Sequence, residues 1–139
     1  MDFNTIVKAG IEGTPYKMVN TSFDMSSTGT LTITGVGFKP RALVVFAVQS
    51  TATGKSYGMG QELTLLPTYI SYNGAQQFAF GDAANVMRYT PDYCIHVYTD
   101  GSSVARAYVQ KFTKDGVIFT LQKAGAPTGT ANLQILFLG

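Results

Sequence analysis

Tryptophan is absent from this 139-residue chain, cysteine and histidine each occur once, and Asp, Glu, Lys and Arg together supply only 13% of the residues. Each shortage removes a class of function. A single cysteine, Cys94, allows no internal disulfide and no multi-cysteine metal centre. Its neighbours Tyr93 and Ile95 continue an apolar strand pattern, so Cys94 reads as a small buried hydrophobe. A single histidine, His96, would leave carboxylates alone to complete any metal site. The ten Lys and Arg residues are scattered, never more than two within five positions, which argues against a nucleic-acid footprint. The N-terminus lacks a basic segment followed by an apolar core, and no run of about 18 apolar residues occurs. Neither a signal peptide nor membrane insertion is therefore expected.

What is present is an apolar, aromatic chain of the length of one ordinary domain. Hydrophobic residues reach 45%, and the charged fraction is about half that of a typical globular chain. So little charge on a small domain implies that part of its surface faces protein, not water. Helical periodicity is hard to find, whereas period-two alternation recurs. Leu31 and Ile33 alternate with Thr30, Thr32 and Thr34, as a half-buried strand requires. Arg41–Val48 is apolar on both faces and reads as a central strand covered on each side. Thr51–Gln61, with three glycines, reads as an irregular or bulged loop. Short strands at Thr68–Tyr72 and Gln76–Phe80 flank an Asn73-Gly74 turn, and Asp100-Gly101 joins Tyr93–Tyr98 to Ser103–Phe112 with the residues of a type I′ turn. A third hairpin runs through Lys114, Asp115 and Gly116, and Leu133, Ile135 and Phe137 alternate in a closing strand. The one helical segment expected is a single turn within Phe80–Arg88, capped by Asp82. About eight to ten short strands without long helices predict an all-β, antiparallel, jelly-roll-like β-sandwich over residues 17–139, preceded by an N-terminal arm over residues 1–16.

Catalytic constellations are sparse. His96 and Cys94 sit two residues apart, but a same-strand pair lacks the elbow or helix terminus that activates a nucleophile. His96 is read instead as a half-buried residue hydrogen-bonded across the sheet. Most of the eight carboxylates neighbour turn residues; Glu62 with Asp82 is the pair nominated for glycosidic chemistry, which needs two carboxyl groups about 5 to 10 Å apart. Gly54-Lys55-Ser56 lacks the first glycine and the strand-to-helix context of a phosphate loop. No catalytic residue, metal or cofactor is expected. Eight tyrosines are the more informative resource, since each offers flat contact area and a hydroxyl. Tyr93, Tyr98 and Tyr108 fall in or beside strands, and Tyr57, Tyr69, Tyr72 and Tyr89 are the candidates for an interface or a ligand site. Sheet packing and sugar stacking are the other uses such residues serve.

Two segments resemble a known group. Gly29–Phe46, with Gly35-Val36-Gly37-Phe38-Lys39-Pro40 at its centre, is similar to the "GxGFxPxAV" strand pair of many tailed-bacteriophage virion proteins of tail fibres, tail tips and head decorations. Lys114–Leu121, followed by Gly125, Pro127–Asn132 and Leu136–Gly139, is similar to the ending "DGFTLxW" and "PTGTAxxxYLAL" of the same proteins. The Trp usual in that ending is replaced near Gln122 and the final Tyr near Leu136. In physical terms Gly35 and Gly37 permit a bend, Phe38 pins it to the core and Pro40 starts the next strand rigidly. The resemblance implies a non-enzymatic structural protein of the virion, assembling with other virion proteins as a homo-oligomer, often a trimer. A lectin-like module that binds host-surface glycan is the alternative, and a polysaccharide-cleaving enzyme a third reading.

Overall fold

Alternation of large and small, or wet and dry, side chains runs through the chain, and strands form where it does. A computed structural model describes residues 13–50, 54–62, 75–83 and 86–139. Among these residues lie ten strands: β1 (Tyr16–Asp24), β2 (Gly29–Ile33), β3 (Ala42–Gln49), β4 (Lys55–Glu62), β5 (Ala75–Ala83), β6 (Val86–Thr90), β7 (Ile95–Tyr98), β8 (Val104–Thr113), β9 (Gly116–Ala124) and β10 (Thr130–Leu138). They build two antiparallel sheets, one of six strands ordered β1-β10-β3-β4-β5-β6 and one of four ordered β2-β9-β8-β7. The chain passes between sheets from β1 to β2, β2 to β3, β6 to β7 and β9 to β10, which is the jelly-roll-like wrap; β3–β6 and β7–β9 are meanders within it. The arm expected over residues 1–16 lies outside the described residues as far as residue 12, and Tyr16 already opens β1.

The core lies between the sheets. Leu43 and Val45 of β3 and Leu133, Ile135 and Phe137 of β10 face Ile95, Val97, Ala107, Val109, Val117 and Phe119 of the smaller sheet, all in one buried cluster. The Asn73-Gly74 turn and the strand at Thr68–Tyr72 lie outside the described residues. The turn expected within Phe80–Arg88 is not helical where it is described: residues up to Ala83 belong to β5, and those from Val86 belong to β6. Asp82, expected as a helix cap, instead stands opposite Lys55 across the β4–β5 ladder. The Asp100–Ser102 turn does join β7 to β8, but its glycine is not left-handed. The Asp100 carboxylate shapes it, accepting hydrogen bonds at 2.8 Å from the backbone N–H groups of both Ser102 and Ser103.

β4 corrects the largest misreading, the loop expected over Thr51–Gln61. Its outward side chains are Lys55, Tyr57, Met59 and Gln61, and its inward positions, with Gly54 just before it, are Gly54, Ser56, Gly58 and Gly60. The alternation is large against small. β7, the outer strand of the smaller sheet, lies directly on this bare surface. A Cβ at Gly58 would stand 1.8 Å from the Cys94 carbonyl oxygen, one at Gly54 1.9 Å from that of Tyr98, and one at Gly81 2.2 Å from that of His96. The His96 N–H donates to Ser56 Oγ at 3.0 Å. The unladdered edge of β7 is thus turned into the larger sheet, and its polar groups meet α-carbons and a hydroxyl.

The Gly35–Pro40 bend and the Lys114–Gly116 turn meet in one corner. Gly35 and Gly37 have φ of 80° and 91°, a region that favours glycine. The Asp115 carboxylate, from the β8–β9 turn, accepts the Gly35 N–H at 2.8 Å on one oxygen and the Gly37 N–H at 2.7 Å on the other. Val36 N–H donates to the Asp115 carbonyl at 3.1 Å, Val36 and Pro40 are buried, and Phe38 packs against the core. These bonds hold the Asp115 carboxyl below its usual 3.8, so its contribution is present above that pH and is lost on further acidification.

Four substitutions test these contacts. Gly58→Ala is expected to cost about 3 kcal/mol or more in urea denaturation, because backbone must move, whereas Met59→Ala on the outward face should cost under about 1 kcal/mol. Equal losses would contradict the packing described. Gly37→Ala should cost about 1–3 kcal/mol through backbone strain, and Asp115→Ala should lower the melting temperature at neutral pH, by an amount that shrinks as acidification below 3.8 protonates the wild-type clamp.

Candidate functional site

The His96–Cys94 pair does not form a reactive site. Cys94 is fully buried in the core, where desolvation pushes its thiol up to about 12, and its Sγ lies 3.6 Å from the Ala107 carbonyl oxygen as donor. At neutral pH it is a protonated, inert side chain. His96 joins a different group: Nε2 is 3.0 Å from Tyr98 Oη, and the two rings stack at 5.0 Å. The bond expected across the sheet runs along the strand instead. Arg106 lies over the Tyr93 ring at 4.8 Å and Arg88 over the Tyr98 ring at 5.6 Å. Burial, with the guanidinium groups of Arg106 and Arg88 nearby, brings His96 down from 6.5 to about 4.

Nor do Glu62 and Asp82 converge. Glu62 stands opposite Ala75 and Asp82 opposite Lys55, at opposite ends of the β4–β5 ladder. Seven strand positions place them about 24 Å apart, far beyond the span of a sugar. Each also has its own cation: Lys39 is 2.9 Å from Glu62, and Lys55 is 3.6 Å from Asp82. Among the described residues no group of three or more His, Cys, Asp or Glu side chains gathers to hold a metal.

The feature that stands out is the outer face of the six-stranded sheet. Alternation places Met18, Leu136, Val44, Met59 and Phe78 in one row across five strands, with Asn20, Gln134, Phe46, Tyr57, Phe80 and Tyr89 in the next. The large apolar residues of this face are open to solvent: Phe46 is 46% exposed, Tyr57 42%, Phe80 40%, Met87 54% and Tyr89 60%. Aromatic rings continue from strand to strand, with Phe46–Tyr57 centroids at 5.5 Å and Phe80–Tyr89 at 5.4 Å. The described ion pair on this face, Lys55–Asp82, is self-neutralising. Arg41–Val48 was expected to be covered on both faces; β3 is central, but among the described residues only its Leu43, Val45 and Ala47 side is covered.

Beside the aromatic row the face is concave. A shallow groove of about 530 Å3 is lined by Asn20, Asn132 and Gln134 on one side and by Phe46, Val48, Tyr57 and the Asp82-paired Lys55 on the other. Of the four tyrosines expected to serve an interface or ligand, Tyr57 and Tyr89 share this face. Tyr69 and Tyr72 lie outside the described residues. Gly35, Gly37, Phe38 and Pro40 sit at the corner described above, in scaffold roles. Sequence reasoning missed Phe46, Phe80 and the amide residues as a site because their shared face depends on the strand order. A scan against protein-family models and searches of curated proteins and of solved structures find no match to this chain.

The His96 shift makes a testable pH dependence. Between pH 6.5 and about 4 the unfolded chain takes up a proton that the folded chain refuses. Stability is therefore complete above that window and falls as pH is lowered through it. Denaturation midpoints should decline over this interval in the wild type and decline less in His96→Phe. The same slope in both proteins would place the proton uptake elsewhere.

Proposed function

We propose that this chain is a non-enzymatic structural protein of a tailed-phage particle, a head-decoration or tail-fibre or tail-tip sandwich. It works by associating, with further copies of itself and with other virion proteins, through the outer face of the six-stranded sheet. The observation that carries the reading is that face. Soluble monomers rarely expose contiguous apolar patches beyond a few hundred Å2. Here six strands at about 4.8 Å spacing and nine-residue strands of about 30 Å give a face on the order of 700 Å2 in projection, close to the ~800 Å2 that one partner contributes to a standard interface. The likeness of the Gly35–Pro40 and Asp115–Leu121 segments to virion proteins supports the same assignment, and the clamp between them gives both segments a scaffold role.

A saccharide-binding role draws on one observation, the groove. Three amides border it beside Phe46 and Tyr57, and planar amides with aromatic faces suit the hydroxyls and apolar face of a sugar. That reading requires binding by the isolated chain.

Multi-angle light scattering is the test of the main reading. The wild type should be an oligomer at micromolar concentration, and Phe46→Lys with Tyr57→Lys should shift it to monomer while preserving its β-type circular dichroism, since both side chains point away from the core. A strictly monomeric wild type at high concentration would remove the proposal. An antibody to the purified chain should also decorate intact particles of the phage that encodes it.

A further inference from the structure

The outer face carries an exposed aromatic cluster as well as a groove. Phe78, Phe80 and Tyr89 form a three-ring cluster on β5 and β6, with centroids 5.4 to 6.3 Å apart. The groove is centred on β10 and β3, two to three strands away, or about 10–15 Å. Within one row the residues change from Asn20 and Gln134 to Phe46, Tyr57, Phe80 and Tyr89, amide at one end and aromatic at the other.

This division bears on what occupies the groove. The side-chain amides of Asn20, Asn132 and Gln134 make no hydrogen bond within the described structure, so an apolar occupant would bury them without partners, at a cost of about 1–3 kcal/mol each. The occupant must therefore be apolar against Phe46 and Val48 and polar at its tip. A tyrosine meets both requirements. Tyr89 is the most exposed of the large hydrophobic residues among those described, and its hydroxyl makes no hydrogen bond within the described structure. The charge on the face also permits a second copy: Lys55 and Asp82 neutralise each other, so like surfaces do not repel.

We infer that the groove of one copy receives the Phe80–Tyr89 cluster of another copy of the same chain, with the Tyr89 hydroxyl bonded to the Asn132 and Gln134 amides. This rests on the reading of the face as an assembly surface and specifies its partner and contact. Packing one face on another then seats an aromatic cluster in a groove, and the area available matches that of a stable interface.

Complementation between two variants tests the contact. Phe80→Ala with Tyr89→Ala removes the cluster but leaves the groove; Asn132→Arg fills the groove but leaves the cluster. Each variant alone should dissociate at least about tenfold more readily than the wild type. Mixing them, one isotope-labelled, should restore complexes that native mass spectrometry identifies as containing both. Circular dichroism and melting curves confirm that each variant folds. Variants that associate as the wild type does, or mixtures that form no mixed complex, would overturn the contact while leaving assembly through this face intact. A monomeric wild type would end both readings. Wild-type binding to an oligosaccharide array that Asn132→Arg abolishes without changing the oligomer would assign the groove to a sugar and overturn the inference.

Discussion

The fold depends on backbone meeting backbone between the two sheets at β7. Four inward positions at and just before β4, together with Gly81 on β5, carry either no side chain or a hydroxymethyl group. That bareness lets the carbonyls of Cys94, His96 and Tyr98 approach the α-carbons of Gly58, Gly81 and Gly54. Sheets separated by two ordinary layers of side chains lie about 10 Å apart. Here one edge of the smaller sheet is drawn in much closer, so the sandwich is pinched along β7. The pinch brings Tyr98 beneath Arg88 of β6 and buries His96, which explains why the only histidine is held neutral.

The pinch also accounts for the division between the faces of β4. A strand whose inward side is spent on glycine and serine adds little to the hydrophobic core, and its large residues, Tyr57 and Met59, point outward. Together with Phe46, Phe80 and Tyr89 they make an apolar surface that the described residues leave open. The low charge of the sequence and the exposed face are two views of one property: a domain that spends much of its apolar material on a surface.

Much of the architecture was legible in side-chain alternation. Leu31 and Ile33, Leu133, Ile135 and Phe137, and the hairpins on either side of β8 stand where period-two reading placed them, because each has one greasy and one polar face. β4 was not legible in that way. Its buried positions carry nothing to count, and glycine or serine at every second position has the composition of a loop. Phe80–Arg88 was misread because Asp82 offers a capping carboxylate; pairing with Lys55 across the ladder prevailed. β3 was read correctly as central and wrongly as covered twice, since composition shows that a face is apolar but not what lies against it. Of the candidate site, the nomination of Tyr57 and Tyr89 for an interface or ligand came from side-chain chemistry alone, and their alignment with Phe46, Phe80 and Gln134 required the strand order. The Gly35–Pro40 bend and the Lys114–Gly116 turn were each recognised, and only the structure joined them through one carboxylate.

The position of β10 bears on how the molecule comes into being. This strand, Thr130–Leu138, lies between β1 and β3 and supplies the ladder partner of both. On a ribosome, β1 and the β3–β6 meander emerge long before the segment that unites them, so the larger sheet stays split until residue 138 has cleared the exit tunnel. Synthesis at about 5–20 residues per second leaves β1 and the four-stranded β3–β6 meander waiting several seconds for the strand that joins them. A chain so arranged is exposed to premature association during translation, and crowded polysomes are where its yield would first be lost.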